Sequence, residues 1–127
     1  MQLQEILYSS LLAPDQPTTV VGQIVTRARA RNAETGITGL LVFDGMRFCQ
    51  HFEGPRDATV RLMDRIAEDP RHTHIRVVYE GPLDKRRYPR FDMGLADAED
   101  GFPDLDRLDG SEALARFLQL RPRYDIS

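Results

Sequence analysis

The segment ITGLLVFDGMRFCQHFE, residues 37–53, predicts a β-hairpin around which the rest of the fold is arranged. Its first part, residues 37–43, is apolar on both faces, which is typical of a strand buried from both sides. Asp44-Gly45 favours a two-residue hairpin turn, and residues 46–53 predict a strand that returns antiparallel. The segment therefore supplies two neighbouring strands of a sheet.

Gln50 is the unusual residue of the second strand. Side chains alternate along a strand, so Gln50 shares a face with Phe48 and Phe52. Two aromatic neighbours indicate that this face is turned toward a core. A buried amide needs hydrogen-bond partners for both its oxygen and its nitrogen, so the pattern predicts a polar group opposite Gln50.

The flanking sequence predicts alternating strands and helices. Proline, threonine, glycine and an Asp-Pro pair indicate where helices start and stop, and apolar residues at helical spacing indicate the helices themselves. The predicted elements are a strand over 3–12, a helix from Pro17 or Thr18 to Gly36, a helix from Gly54-Pro55 to Asp69-Pro70, strands over 74–81 and 90–97, and a last helix capped by Ser111. This order predicts an α+β fold, a ferredoxin-like βαββαβ sandwich with an added fifth strand and a C-terminal helical tail.

The predicted topology brings polar residues together on one face of the sheet. Right-handed crossovers place the two main helices on the same face, and the first and third strands are expected to be parallel neighbours at the centre. Tyr8 and Gln50 then lie side by side, and Asn32 of the first helix converges on them. This convergence of three polar side chains has three possible interpretations. They are a hydrogen-bonded cluster that only fixes the packing, a left-handed helix end at Asn32, and a binding site for a planar ligand with polar edges.

Composition favours a single cytoplasmic domain. The chain has 127 residues, 41% of them hydrophobic, and a net charge of −3, which gives no basic excess for nucleic acid or an anionic membrane. No apolar run approaches the ~20 residues of a membrane helix, and the N-terminus lacks the features of a signal peptide. Cys49 is the only cysteine and fits a reducing compartment. The three histidines match no metal-binding spacing, so no metal site is expected.

Four stretches together resemble the BLUF domain, a family of flavin-binding blue-light sensors. They are ILYSS, ARNAETGITGLLVFDGMRFCQHFEG, IAEDPRH and RRYPRFDMG, and the resemblance covers roughly residues 3 to 96. It implies a blue-light photoreceptor that is not an enzyme and that binds a flavin, expected to be FAD, with FMN possible. The alternatives are a flavin-free dimerisation or interaction module and an acylphosphatase-like hydrolase. An acylphosphatase-like hydrolase requires an arginine in a glycine-rich phosphate loop after the first strand. The SSLLAPDQP segment at this position has no such loop.

The resemblance also implies roles for individual residues. Tyr8 matches the tyrosine that donates an electron to the excited flavin, and Gln50 matches the glutamine that bridges this tyrosine and the flavin ring. Asn32 matches the asparagine at the polar edge of the ring, and Met93 matches the methionine that senses the state of the glutamine. The remaining expected cofactor-binding residues are Arg71 and His72 at the ribityl-phosphate end, and Ile24, Arg31 and Ile66 as wall positions.

The chain departs from the family pattern at one residue, and the resemblance does not specify which protein receives the light signal. Many members carry tryptophan two residues before the methionine, where this chain has Phe91 and no tryptophan anywhere. Residues 1–96 are expected to form the photosensor, and residues 97–127 a loop and helix that pack on the sheet or at a dimer interface. A homo-oligomer and a downstream protein partner are expected, with Met93 as the expected carrier of the signal to the tail.

Overall fold

The chain forms one mixed sheet with helices on both of its faces. The structure is a computed structural model that describes residues 2–95 and 107–121 and the backbone of 125–126. The elements are β1 (Leu3–Leu12), α1 (Val20–Thr35), β2 (Thr38–Phe43), β3 (Arg47–Pro55), α2 (Arg56–Glu68), β4 (His72–Leu83), β5 (Phe91–Leu95), α3 (Gly110–Leu120) and β6 (Asp125–Ile126). The predicted ferredoxin-like core with an added fifth strand is confirmed, and the two-residue β6 was not predicted.

The strand order is β4-β1-β3-β2-β5-β6. Tyr8 of β1 lies directly opposite Gln50 of β3, as predicted, but the two strands are antiparallel, so the expected parallel pairing is wrong. The physical reason is the connectivity. The crossover through α1 makes β2 parallel to β1, and the hairpin then reverses β3 relative to both. The added strand β5 pairs with β2 in parallel.

The hairpin turn is displaced by one residue from the predicted position. Asp44 N–H donates to the Arg47 carbonyl over 3.2 Å, so the turn centres on Gly45 and Met46 and not on Asp44-Gly45. The Asp44 side chain explains the shift, because Oδ1 accepts the N–H groups of Met46 and Arg47 at 3.0 and 2.7 Å. Gly45 has a φ of 102°, a left-handed conformation that favours glycine.

The ends of two helices test the predicted start and stop signals. Gly36 ends α1 as predicted, in the left-handed conformation with a φ of 75°, and its N–H donates to the Asn32 carbonyl. The cap assigned to Ser111 is wrong, because α3 already begins at Gly110 with Asp109 at the N-cap position. Asp109 has another partner, since its carboxylate accepts a hydrogen bond from Arg76 over 2.6 Å.

Strand alternation divides the core between the two faces of the sheet. Ile6, Tyr8 and Phe52 pack under α2, and Leu41, Phe43, Phe48 and Phe91 pack under α1. On the opposite face, Leu7, Leu40, Val42 and Cys49 pack against Ala113, Leu114, Phe117 and Leu120 of α3. Within the described ranges, no helix has both the length and the apolar character needed to cross a bilayer.

The basic segment that precedes β5, residues 85–90, contacts buried carboxylates of the sheet. Tyr88 is buried, and its N–H donates to the Glu53 carboxylate over 3.1 Å. Arg87 donates through its backbone to Glu53 and through its side chain to Glu5. The segment is therefore anchored to the sheet by two buried carboxylates.

Candidate flavin-binding site

Tyr8 and Gln50 form a buried hydrogen-bonded pair at the centre of the sheet. Tyr8 Oη donates to Gln50 Oε1 over 2.6 Å, and the two side chains are only 1% and 4% exposed. Their strands place them opposite one another, and the edge of the Phe52 ring packs against Tyr8 with centroids 6.3 Å apart. The hydrogen bond occupies the amide oxygen of Gln50, so the amide nitrogen is the remaining donor of this side chain.

Burial keeps the Tyr8 phenol neutral. Removal from water raises the pKa of Tyr8 well above its ordinary value of 10.0, since a phenolate would be poorly solvated in this position. The hydroxyl hydrogen is therefore present at any physiological pH and is shared with Gln50. A redox change at Tyr8 would consequently be coupled to the position of this proton.

Asn32 carries an unpaired donor in the interior. The side chain is 1% exposed, and Nδ2 has no hydrogen-bond partner among the described residues. Asn32 has helical backbone within α1, and the left-handed residue is Gly36, so the helix-end reading of Asn32 is wrong. An unpaired buried donor costs about 1–3 kcal/mol. A ligand that accepts from Nδ2 would recover this cost.

A cavity of about 490 Å³ lies beside Asn32, at the end of α1 and the start of β5. Ile37 and Phe91 form apolar parts of its lining, and Arg29, Arg86 and Arg90 contribute basic groups. The cavity includes neither Tyr8 nor Gln50. Asn32, which is expected at the polar edge of the ligand, thus lines an open space, whereas the Tyr8–Gln50 pair is buried outside that space.

The expected wall residues Ile24 and Ile66, and Met93, do not line this cavity but pack against two apolar clusters on the same face of the sheet. Ile24 of α1 and Met93 of β5 pack against the cluster that holds Leu41 and Phe91. Ile66 of α2 packs against the cluster that holds Tyr8. Met93 does not neighbour Gln50 in the sheet, because Leu41 of β2 is paired with Gln50 on one side and with Met93 on the other.

Arg71 immediately precedes β4, and His72 is the first residue of this strand. Arg71 donates to Asp69 through Nη2 at 2.6 Å and Nε at 2.9 Å. This pairing lowers the pKa of Asp69. His72 is buried, its Nδ1 is 2.9 Å from Ser10 Oγ, and its ring lies 4.7 Å from the Phe48 ring. Burial lowers the pKa of His72, which favours a neutral ring.

Arg31 is placed away from the other expected site residues. Its side chain is exposed on α1 and does not line the cavity. Arg29, two residues earlier in the same helix, does line it. Helical geometry explains the difference, because Asn32 and Arg29 are three residues apart and share a face, while Arg31 is rotated about 100° from Asn32.

A second polar cluster, not predicted from the sequence, lies on the opposite face of the sheet. His51 is fully buried, with Nε2 2.8 Å from Glu5 Oε1 and Nδ1 2.6 Å from Tyr88 Oη. Glu5 shares a strand face with the core residue Leu7, and a carboxylate at such a position was a signal for a buried ion pair. Its partners come from distant segments, which the local pattern does not indicate.

Comparisons with known proteins agree with this geometry. The family model described as BLUF, sensors of blue light using FAD, matches residues 3–94. Photoactivated adenylate cyclase subunit beta of Euglena gracilis is 47% identical over 66 residues, which are 52% of this chain and only 8% of that protein. The chain therefore corresponds to a small part of this relative.

Solved structures show the same fold over most of the chain. BlrB, a BLUF protein in its dark state, is 35% identical with a TM-score of 0.77, over 94% of both chains. The structure of Klebsiella pneumoniae BlrP1 with FMN and cyclic diGMP is 29% identical with a TM-score of 0.66, over 91% of this chain and 29% of that one. The family match, the shared fold and the buried tyrosine–glutamine pair lead to one conclusion: this chain belongs to the BLUF family of blue-light sensors that use a flavin.

Proposed function

We propose that this BLUF domain detects blue light through a flavin held on the α1 and α2 face of the sheet, with Tyr8 and Gln50 as its photoactive pair. The observation that carries the proposal is the buried hydrogen bond of 2.6 Å from Tyr8 Oη to Gln50 Oε1. When bound, the flavin supplies blue-light absorption and an excited state that accepts an electron. The protein supplies geometry and electrostatics.

Asn32 and Gln50 are the residues proposed to hold the polar edge of the ring. Each has an amide nitrogen that can donate to a flavin carbonyl, and Nδ2 of Asn32 is buried without a partner in the described part of the chain. Ile24 and Ile66, from α1 and α2, are proposed to contact the two faces of the ring. Arg71 and His72 are proposed to lie nearer the ribityl-phosphate end.

Tyr8 is proposed to give up an electron together with its phenolic proton. The proton already points at Gln50 Oε1, so its transfer needs no rearrangement of heavy atoms. Gln50 has a carbonyl oxygen and an NH2 group, and the two exchange their hydrogen-bonding roles when the amide rotates or tautomerises. After the electron and proton return to Tyr8, the exchanged amide is proposed to give a stronger hydrogen bond to the flavin and a red-shifted absorption.

Phe91 and Met93 are proposed to shape this response. Phe91 is buried and lines the cavity beside Asn32, but it has no N–H group to donate to the ring edge or to Gln50. It is also a poorer electron donor than tryptophan, which leaves Tyr8 as the dominant donor. Met93 lies in the same cross-strand row as Gln50, and its flexible thioether can adjust to a rearranged amide.

The flavin is proposed to be FAD. The description of the matching family names FAD, while the BlrP1 structure contains FMN. Both share the ring that Asn32 and Gln50 would contact, so these residues do not distinguish them. Mass spectrometry of the flavin released from the purified protein identifies it.

The domain is proposed to signal to another protein in the cytoplasm, or to a second copy of this chain, without catalysing a reaction itself. Residues 1–96 are proposed as the sensor, and residues 97–127 as a C-terminal segment that responds to it. The relative from Euglena gracilis supports this reading, since its name combines light activation with an adenylate cyclase in a much longer protein.

Absorption spectroscopy tests the proposed function. The purified chain is loaded with FAD, and spectra are recorded in the dark, after blue light and during recovery. A reversible red shift of the flavin band is expected. A protein that binds FAD but shows no shift would contradict the photosensor, and one that takes up neither FAD nor FMN would support the flavin-free interaction module.

A further inference from the structure

His51 follows Gln50 in β3, and its side chain lies on the opposite face of the sheet. It is fully buried and belongs to a row of three residues, Glu5, His51 and Tyr88, which is called the Glu5–His51–Tyr88 chain below. The two hydrogen bonds of the imidazole are short, at 2.8 Å to Glu5 and 2.6 Å to Tyr88.

The chemistry of Glu5 places a hydrogen on Nε2 of the imidazole. Burial raises the pKa of Glu5, but hydrogen bonds from His51 and Arg87 outweigh it and hold the pKa below its ordinary value, so the carboxylate is ionised and only accepts. His51 Nε2–H therefore donates to Glu5. Burial raises the pKa of Tyr88 to about 12, so its hydroxyl is protonated and shares the hydrogen bond of 2.6 Å with Nδ1 of His51.

The Glu5–His51–Tyr88 chain is also the surface on which the end of α3 rests. The ring of Phe117 meets His51 edge to face, with centroids 5.7 Å apart and planes at 84°. The guanidinium of Arg121, the residue that ends α3, lies 5.0 Å from the centroid of the Tyr88 ring. Both contacts involve the C-terminal half of the helix, and Phe117 and Leu120 are almost fully buried there.

Gln50 and His51 are joined by one peptide unit that is held between β1 and β2. Gln50 pairs with Tyr8 and Leu41, and His51 pairs with Leu7 and Leu40. A displacement or twist of β3 on the Gln50 side therefore moves the imidazole on the α3 side. Both ring nitrogens of His51 are hydrogen-bonded, so the ring cannot rotate without losing a bond. When the imidazole moves, Glu5 and Tyr88 must therefore move with it, or their hydrogen bonds to it break.

The route through β5 is longer. Met93 is separated from Gln50 by Leu41 of β2. Among the described residues, the apolar cluster around α3 includes side chains from β1, β2, β3 and β4 but none from β5. The strand that carries Gln50 thus touches α3 directly, whereas the strand that carries Met93 is not part of that cluster.

We propose that His51 is the positioning residue that transmits a change at Gln50 through the sheet to the C-terminal end of α3, by way of Tyr88 and Arg121. The proposal rests on the proposed photosensing function. It requires that the contacts between the Glu5–His51–Tyr88 chain and α3 differ between the lit and dark states, because a signal needs different interactions in its two states. It replaces Met93 as the expected carrier of the signal to the tail.

Hydrogen exchange of the FAD-loaded full chain, in the light and in the dark, tests the proposal. The main variant is Tyr88→Phe, which removes the hydroxyl bound to His51 and keeps the ring under Arg121. The matched control is Tyr79→Phe, since Tyr79 packs against the same α3 cluster but its hydroxyl has no hydrogen bond to the described residues. His51→Gln is the conservative variant, because its amide retains one donor for Glu5 and one acceptor for Tyr88.

In the parent protein we expect a lit-minus-dark exchange difference over α3, reported by amides of residues 110–121. We expect Tyr88→Phe to lose this difference while keeping the flavin red shift, and Tyr79→Phe and His51→Gln to retain both. If Tyr88→Phe does not retain flavin, Arg121→Gln, which removes the cation from the end of α3, is expected to lose the exchange difference and decides the question.

Three results would overturn the proposal while leaving photosensing intact. They are a parent protein that red-shifts without any exchange difference in α3, a Tyr88→Phe variant with the parent's difference, and a Tyr79→Phe variant that loses it equally. A parent protein without a red shift would instead remove the proposed function, and this inference with it.

Discussion

Gln50 and His51 are consecutive residues of β3 that bind the same neighbouring strand from opposite faces of the sheet. Gln50 accepts a hydrogen bond from Tyr8 on the face of α1 and α2, and His51 donates to Glu5 on the face of α3. The central strand pair β1–β3 is therefore joined by side chains above and below its ladder. A rearrangement of Gln50 changes one of these two links, and the other link is in contact with the helix proposed to respond.

Replacement of Tyr8 by phenylalanine tests the donor. The ring packing against Phe52 stays, and the hydroxyl that is both the redox group and the partner of Gln50 is lost. We expect Tyr8→Phe to bind flavin and to show no reversible red shift in blue light. Tyr79→Phe makes the same chemical change on the other face of the sheet and should keep the red shift. A normal photocycle in Tyr8→Phe would contradict the assignment.

Asn32 provides a prediction with opposite signs for the free and the bound protein. Asn32→Ala removes a donor that the flavin-free protein leaves unpaired, so the free energy of unfolding of the flavin-free protein should not fall. The same change should weaken flavin binding by about 1–3 kcal/mol, because a flavin acceptor loses its buried donor. Gln23→Ala, on the exposed side of α1, is the control. Equal flavin affinity in Asn32→Ala and the parent protein would exclude contact with the ring.

The sequence was sufficient to predict the arrangement of the core and the Tyr8–Gln50 pair. Strand alternation, a turn containing glycine and helical apolar spacing are local signals, and each determined an element that the structure confirms. Placing Tyr8 beside Gln50 needed only the strand order, which follows from the βαββαβ pattern. The predicted direction of β3 relative to β1 was wrong. β2 is parallel to β1, so the hairpin that reverses the chain after β2 makes β3 antiparallel to both strands.

The opposite face was harder to predict because its contacts join distant segments. Tyr88 follows a run of basic residues that reads as a solvated connection, yet its side chain reaches His51, 37 positions away along the chain. Nothing in the local pattern indicates that pairing. The displaced hairpin turn has a different cause, since the Asp44 carboxylate competes for backbone N–H groups and moves the turn by one residue.

Gly39 is predicted to be indispensable for the position of β3. A Cβ at this residue would lie 2.3 Å from the His51 carbonyl oxygen and 2.7 Å from the Phe52 Cα, both backbone atoms that cannot move independently. We expect Gly39→Ala to lower the free energy of unfolding by about 1–3 kcal/mol, as at other overpacked sites. Denaturant titration of the flavin-free protein measures this change. Since His51 follows Gln50 and Phe52 shares its face of β3, flavin binding should weaken as well.

Gly22 is the matched control for this substitution. It lies in the exposed part of α1, and a Cβ there would meet nothing within 4 Å. Gly22→Ala should therefore raise the free energy of unfolding by about 0.4–1 kcal/mol, since alanine reduces the conformational freedom of the unfolded chain and has the higher helix propensity. Similar losses of stability in both variants would show that close packing at Gly39 is not the cause.

His72 predicts a loss of stability that begins at mildly acidic pH. Burial lowers the pKa of His72 below its ordinary value of 6.5, so the unfolded chain binds a proton at higher pH than the folded protein does. The corresponding stability is fully present above about pH 6.5 and is lost as the pH falls from there through the folded-state pKa. The lowered pKa values of Glu5 and Asp69 act in the same direction but at lower pH, below their ordinary values of 4.5 and 3.8.

Thermal unfolding between pH 5 and 7.5 measures the window of His72 apart from the window of the two carboxylates. In His72→Phe the slope just below pH 6.5 should become smaller, whereas His74→Asn, at an exposed residue with a φ of 54° that asparagine tolerates, should keep it. An unchanged slope in His72→Phe would show that the buried ring is not the group that titrates.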